Sequence, residues 1–249
     1  MPTVEHSWIA PDWPAPANVR ACMTTRNGGV SRGPYHSLNL GDHVGDDAHC
    51  VAQNRALLVS VLNLPSAPLW LNQVHGTEIT RLPNNGTGPP PADGGITLEA
   101  GQVCAVMTAD CLPVLLCDQA GTVVAAAHAG WRGLAAGVIE NAVNAMAVAP
   151  ECLMAWLGPA IGPQAFEVGA DVVDTFVEQH NEAQRAFRQV SQQHWLADIY
   201  ELARLRLQTI GIGQIHGGGY CTYSDSERFF SYRRDKITGR MAALIWLAA

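Results

Sequence analysis

Apolar residues follow two rhythms along this chain. Short unbroken or alternating runs, rich in β-branched residues, read as strands: Val19 to Thr25, Leu69 to Val74, Val103 to Thr108, Leu112 to Asp118, Thr122 to His128, Cys152 to Leu157 and Met241 to Leu247. Helical spacing marks Ala48 to Leu62, with an N-cap at Asp46 or Asp47, then Leu134 to Val148, Ala170 to Gln179 and Gln184 to Val190. A last helical run, Leu196 to Ile210, carries the stripe Ile199, Leu202, Leu205 and Leu207. The alternation predicts a mixed α/β (α+β) fold, central β-sheets covered by helices, in one domain spanning residues 1–249. Met1 to Ala17 reads as an extended lead-in whose Trp8, Ile9 and Trp13 pack onto the body, and Pro83 to Gly95 as the best place for a mobile loop.

The runs on either side of Asp118-Gln119-Ala120-Gly121 form a predicted hairpin. With Gln119 and Ala120 as a two-residue loop, counting outward sets Cys111 opposite His128. Opposed side chains share a face with Cβ atoms about 4.5–5.5 Å apart, which suits a shared metal ion or a thiol–imidazole couple. A slip of one residue on each strand keeps them on one face as a diagonal pair, and an odd slip parts them across the sheet. Beyond His128 the chain reads Ala-Gly-Trp-Arg-Gly and turns helical, so a helix N-terminus at Gly130, with free N–H groups, favours an anion nearby.

Several other residues admit two readings. His75 ends a predicted strand, as a side chain held beside a cleft or as a satisfied structural histidine. Asp110 either orients the neighbouring thiolate or is a turn acid. The glycine-rich loop Thr25 to Tyr35, which carries Arg26, lets a ligand approach closely or serves as an ordinary long turn. Of Arg233 and Arg234, one pairs with an acid and the other is free for a ligand, or both pin a loop.

Charge and cysteine usage narrow the field. A net charge of −7 argues against a general nucleic-acid binder and for a small-molecule or protein substrate. Seven cysteines without a CxxC pair do not form a disulfide framework. No basic head precedes an apolar stretch, and no run is long enough to span a bilayer, which predicts a reduced, soluble, cytoplasmic protein without membrane partners.

Three segments, Leu71-Asn72-Gln73-Val74-His75-Gly76, Thr108-Ala109-Asp110-Cys111-Leu112-Pro113-Val114 and Ala127-His128-Ala129-Gly130-Trp131-Arg132-Gly133, resemble the signatures of the bacterial polyphenol-oxidase or laccase-domain proteins, the YfiH family. The resemblance continues through Thr25–Ser31, Ser37–Leu40, Leu157–Pro163 and Phe229–Asp235 and so covers nearly the whole chain. It implies a sandwich-like core and a zinc site built from His75, Cys111 and His128, with one coordination position open. A closed structural site would need a fourth ligand, for which His43 and Cys117 are the candidates.

The activity the resemblance implies is phosphorolysis of adenosine, inosine and methylthioadenosine, with deamination of adenosine. Nucleoside and phosphate are then the partners. The phosphate is expected at the helix N-terminus after Gly130, aided by Arg26 or Arg132, and Asp110 stands in as proton shuttle. The nine histidines contain no His-x-His pair of the kind multicopper chemistry uses, so copper-dependent polyphenol oxidation is expected only as a side activity of copper loading. Two alternatives use the same residues. One is a metal-free cysteine hydrolase or deamidase, with Cys111 as nucleophile and His128 as base, acting for example on cell-wall peptide precursors. The other is a metal-buffering module without turnover.

Overall fold

Residues 8–248 are described by the computed structural model, and the first seven residues of the lead-in lie outside it. Alternation along the central hairpin sorts the core into layers. On Leu112–Asp118, the side chains of Leu112, Val114 and Leu116 enter one cluster while Leu115 and Cys117 enter another. Val124–Ala129 splits the same way, Ala125, Ala127 and Ala129 against Val124 and Ala126. A strand buried on both faces needs a layer on each side.

Both layers are present. The hairpin lies inside a six-stranded sheet in the order Gln214–Gly217, Leu153–Leu157, Leu112–Asp118, Val124–Ala129, Gly94–Thr97, Ile79–Leu82. Helices Val138–Met146, Ala170–Val177 and Ile199–Thr209 cover one face through residues such as Ile139, Phe176 and Leu202. Against the other face packs a four-stranded sheet, Trp8–Ile9, Val19–Thr24, Met241–Leu247, Val103–Thr108, sealed by Met23, Val106, Trp156 and Ala243. Helix Ala48–Val61 closes the outer face of that sheet through Leu58, with Asp47 as its N-cap. The mixed α/β sandwich covered by helices is as expected. No helix among the described residues is long and apolar enough to cross a membrane.

Four elements differ from the sequence reading. Leu69 to Val74 makes only single bridges, Leu69 with Cys104 and Asn72 with Pro91. In place of a ladder, the Gln73 amide accepts from Met107 N–H at 2.7 Å and donates to Met107 C=O at 2.8 Å, so a side chain does the pairing of a strand. Gln184 to Val190 is a 3₁₀ turn, Asn181–Ala186, followed by strand Phe187–Gln189 in a small sheet with Trp195–Ala197 and Glu167–Val168. The last long helix consequently starts later, at Ile199, after Asp198 caps the N–H groups of Tyr200 and Glu201. Leu134 to Val148 is broken at Gly137, whose φ of 102° ends Trp131–Ala136 and starts Val138–Met146.

Candidate metal centre

In the hairpin, Pro113 and not Cys111 lies opposite His128. The turn spans Gln119 to Thr122, because the Asp118 carboxylate accepts from the N–H groups of Thr122 at 2.7 Å and Val123 at 3.0 Å. This is the even slip, so Cys111 and His128 remain on one face as a diagonal pair, at the end of the cleft between the sheets. Cys111 lies over Gly130, where a Cβ would come within 3.0 Å of its Sγ and 2.9 Å of the His75 ring. The glycine is there because the two side chains need its missing atom's space.

His75 completes the group from a loop rather than a strand end, at a left-handed φ of 60°. Its ring meets that of His128 edge-on at 4.8 Å, and its Nε2 is 3.8 Å from Cys111 Sγ. One ligand atom from each of His75, Cys111 and His128 lies within 4.8 Å of the others, the only such group of metal-binding side chains among the described residues. Cys117 sits deep in its strand opposite Val124, and neither it nor His43 joins the group.

Asp93 holds the group together. It is fully buried, and its carboxylate accepts from the backbone N–H groups of Val74, His75 and Gly76 at 3.1, 3.0 and 2.7 Å. It also meets His128 Nδ1 at 2.8 Å. One side chain therefore fixes the strained His75 loop and the tautomer of His128, leaving His128 Nε2 for a metal. Burial works against this carboxylate, yet the bonds from His128 and the Gly76 and Val74 N–H groups win and hold its pKa below the usual range. In sequence it is only the acid before Gly94-Gly95 at the end of a proline-rich loop.

Burial also disfavours a thiolate at Cys111, but the charge and hydrogen bond of His128, with those of His75, outweigh it and bring the thiol to about 6. His128 is desolvated too, and the Cys111 charge and the Asp93 bond nevertheless raise it to about 9. Thiolate and imidazolium thus stabilise one another when no metal is bound. A thiolate and two imidazoles, one oriented by a carboxylate, form a donor set that fits zinc or copper, and three protein ligands leave room for a fourth group.

Two cavities meet at this centre, and His75, Ala109, Cys111 and Tyr232 border both. The first, about 240 Å³, is walled by Trp131, Ile161, Phe166 and Ile199, with Asp110, Arg132 and Arg233 among its polar groups. The second, about 440 Å³, is bordered by His43, Gln73, Thr108, His128 and Arg240.

Asp110 belongs to a tether. At a φ of 87°, one oxygen accepts from Thr222 Oγ1 and the other from Arg233 N–H, both at 2.6 Å, which draws the turn Tyr232–Asp235 over the centre. Arg234 pairs with Asp235 at 2.8 Å, while Arg233 reaches the first cavity, so the two arginines divide as the sequence allowed. Arg132 stacks over Trp131 at 4.4 Å and lines the same cavity. Arg26 is placed elsewhere: it stacks on Phe230 at 4.7 Å, donates to the carbonyls of His36 and Ser226, and lines neither cavity. Asp93, Phe166 and Arg240 had no motif to single them out, while Thr108 and Tyr232 lie in the quoted segments without a role assigned to them.

Comparison with known proteins finds relatives over nearly the whole chain. The family model for the multi-copper polyphenol oxidoreductase laccase matches residues 20–248. The chain is 56% identical to a purine nucleoside phosphorylase of Escherichia coli, over 96% of this chain and 98% of that protein. It is 54% identical to a purine nucleoside phosphorylase of Pseudomonas aeruginosa, over 97% and 99%. A crystal structure of a Neisseria meningitidis protein superposes with a TM-score of 0.94 at 53% identity, covering 97% of this chain and 99% of that one.

Proposed function

The chain belongs to the multi-copper polyphenol oxidoreductase laccase family, and from that membership we propose that it is a metal-dependent purine nucleoside phosphorylase. The observation that carries the reading is the three-ligand centre on the wall shared by two cavities, one of them walled by aromatic rings. Its substrates are adenosine, inosine and methylthioadenosine, with deamination of adenosine to inosine as a second reaction. His75, Cys111 and His128 hold the ion, zinc by the donor set, and copper loading brings weak polyphenol oxidation. A bound zinc supplies Lewis acidity and a lowered pKa for bound water.

The chain's own residues set the geometry. Asp93 keeps His128 in one tautomer, and Gly130 lets the backbone pass beneath the ligands. Trp131 and Phe166 give a purine flat apolar surface and exclude water, while Arg132 and Arg233 supply hydrogen-bond donors beside it. Asp110 acts by fixing Arg233 and Tyr232 in place.

One observation favours the cysteine-hydrolase alternative: Asp93, His128 and Cys111 stand in the order of an acid, base and nucleophile, with a depressed thiol. His75 separates the two, since a hydrolase does not need it. Adenosine and inosine incubated with zinc-loaded protein, with and without phosphate, and resolved by chromatography beside Cys111→Ala, decide between them. Free base and ribose 1-phosphate only with phosphate, and lost in the variant, support the proposal. Unchanged nucleosides sink it and direct attention to amide substrates.

A further inference from the structure

We infer that the larger cavity is the seat of inorganic phosphate, with Arg240 and Thr108 as its binding residues; this rests on the phosphorylase reading and deepens it. No carboxylate lines this cavity. The acids around it are already engaged. Asp42 faces Arg55 at 3.3 Å and His43 at 3.5 Å, and Asp110 is held by Thr222 and Arg233. What remains without a counter-charge of its own in the lining is the Arg240 guanidinium, since the Cys111 thiolate and His128 imidazolium offset one another.

Arg240 is positioned for a ligand rather than for an ion pair. Its backbone N–H donates to Asn39 Oδ1 at 2.8 Å, and one terminal nitrogen donates to the carbonyls of Thr238 and Gly239 at 3.1 and 3.0 Å. Among the described residues no carboxylate pairs with it, and its Nε and second terminal nitrogen have no acceptor. At Gly41 an added Cβ would lie 2.8 Å from Arg240 Cγ, so the loop packs directly on the arginine stem and fixes its path. A preset guanidinium with two unused donors matches two oxygens of a tetrahedral anion.

Thr108 gives an independent sign. It lines the same cavity, it is 1% exposed, and its Oγ1 has no hydrogen-bond partner among the described residues. A buried hydroxyl without a partner is costly and rare, and turning about χ1 toward an oxyanion in the cavity would resolve it. The first cavity, with its aromatic walls, then takes the purine, and the ribose lies between the two. Phosphate oxygen bonds to ribose C1′ as the bond from C1′ to the base nitrogen breaks. The base leaves with the electron pair and takes up a proton, giving free base and ribose 1-phosphate.

The test uses zinc-loaded protein with its metal content verified, and the variants R240M, R240K, T108V and R132M. Two quantities are read: the phosphate KM in inosine phosphorolysis, and the rise in melting temperature caused by phosphate alone. R240M is expected to raise the phosphate KM roughly tenfold to a hundredfold, the loss of a charge-assisted contact, and to abolish the thermal shift. R240K falls between, since it keeps charge without the fork. T108V weakens phosphate a few-fold while melting no lower than wild type without phosphate, because it removes an unpartnered hydroxyl. An R132M effect on phosphate KM with R240M silent overturns the assignment and leaves the phosphorylase intact. If wild type cleaves no nucleoside, the activity falls and the thermal shift decides alone. A phosphate shift lost in R240M supports the seat, and one retained in R240M, or absent from wild type, overturns it.

Discussion

Replacing Asp93 with asparagine changes one atom and tests whether this carboxylate organises the centre. In the wild type, Oδ1 serves His75 N–H and His128 Nδ1, while Oδ2 serves the N–H groups of Val74 and Gly76. An amide keeps one acceptor and turns an N–H₂ group toward two donors, so two buried bonds are lost and their donors are left unpaired. At about 1.5–3 kcal/mol per charged hydrogen bond, with partial relaxation of the loop, the cost is about 3–5 kcal/mol. That lowers the melting temperature by roughly 6–20 °C for a chain of this size. Metal affinity, measured by competition with a chromophoric chelator, falls about 10- to 100-fold as His128 loses its orientation.

The pH dependence has a definite sign. A carboxylate whose folded pKa is depressed contributes stability that is present above its unfolded value, about 4, and lost as pH falls through the folded one. Wild type therefore loses in acid a component that D93N never had, and the gap between their melting temperatures narrows below about pH 4. Unchanged metal affinity together with an unchanged melting temperature in D93N would refute the reasoning.

Metal-free protein should be alkylated by iodoacetamide at Cys111 with a rate that rises through a midpoint at about 6, and bound metal should protect this site while leaving the exposed Cys152 and the partly exposed Cys221 reactive. Burial pushes the Cys22 and Cys117 thiols up to about 12, so mass spectrometry should find them unmodified in folded protein. Gly130→Ala keeps an allowed backbone, with φ at −61°, but puts a methyl within 3.0 Å of both Cys111 and His75. It should fold, with a circular dichroism spectrum like wild type, and bind metal at least about tenfold more weakly; wild-type affinity would remove the steric role assigned to that glycine.

Most of the layered fold could be read from the sequence because both faces of its central strands are buried. Leu112 to Asp118 and the apolar part of the second run are unmistakable as strands, whatever the turn between them does. The turn itself could not be read: Asp118-Gln119-Ala120-Gly121 looks like a tight hairpin, and the longer loop appears only once the Asp118 side chain is seen caping Thr122 and Val123. Short edge elements were misjudged for a related reason. Phe187–Gln189 is a strand only because Trp195–Ala197, itself paired with Glu167–Val168, arrives beside it, and helical spacing over seven residues cannot register that.

The centre shows the same division between local and distant information. Cys111 and His128 were brought together by counting along one hairpin, and an error of two in register did no harm because side chains alternate with period two. His75 was expected at a strand end, yet it stands in a left-handed loop that exists only because a carboxylate eighteen positions later receives three successive backbone N–H groups. Arg240 and Thr108 are further still, contributed by the loop before the final strand and by the end of Val103–Thr108, two chains that pair at Met241 and Thr108. The three candidate ion ligands sit in motifs, whereas Asp93, which orients them, and Arg240 are brought beside them from outside those motifs. Substitutions at His75, Cys111 or His128 should therefore abolish metal binding, and those at Arg240 or Thr108 should leave it intact and alter phosphate binding beside it.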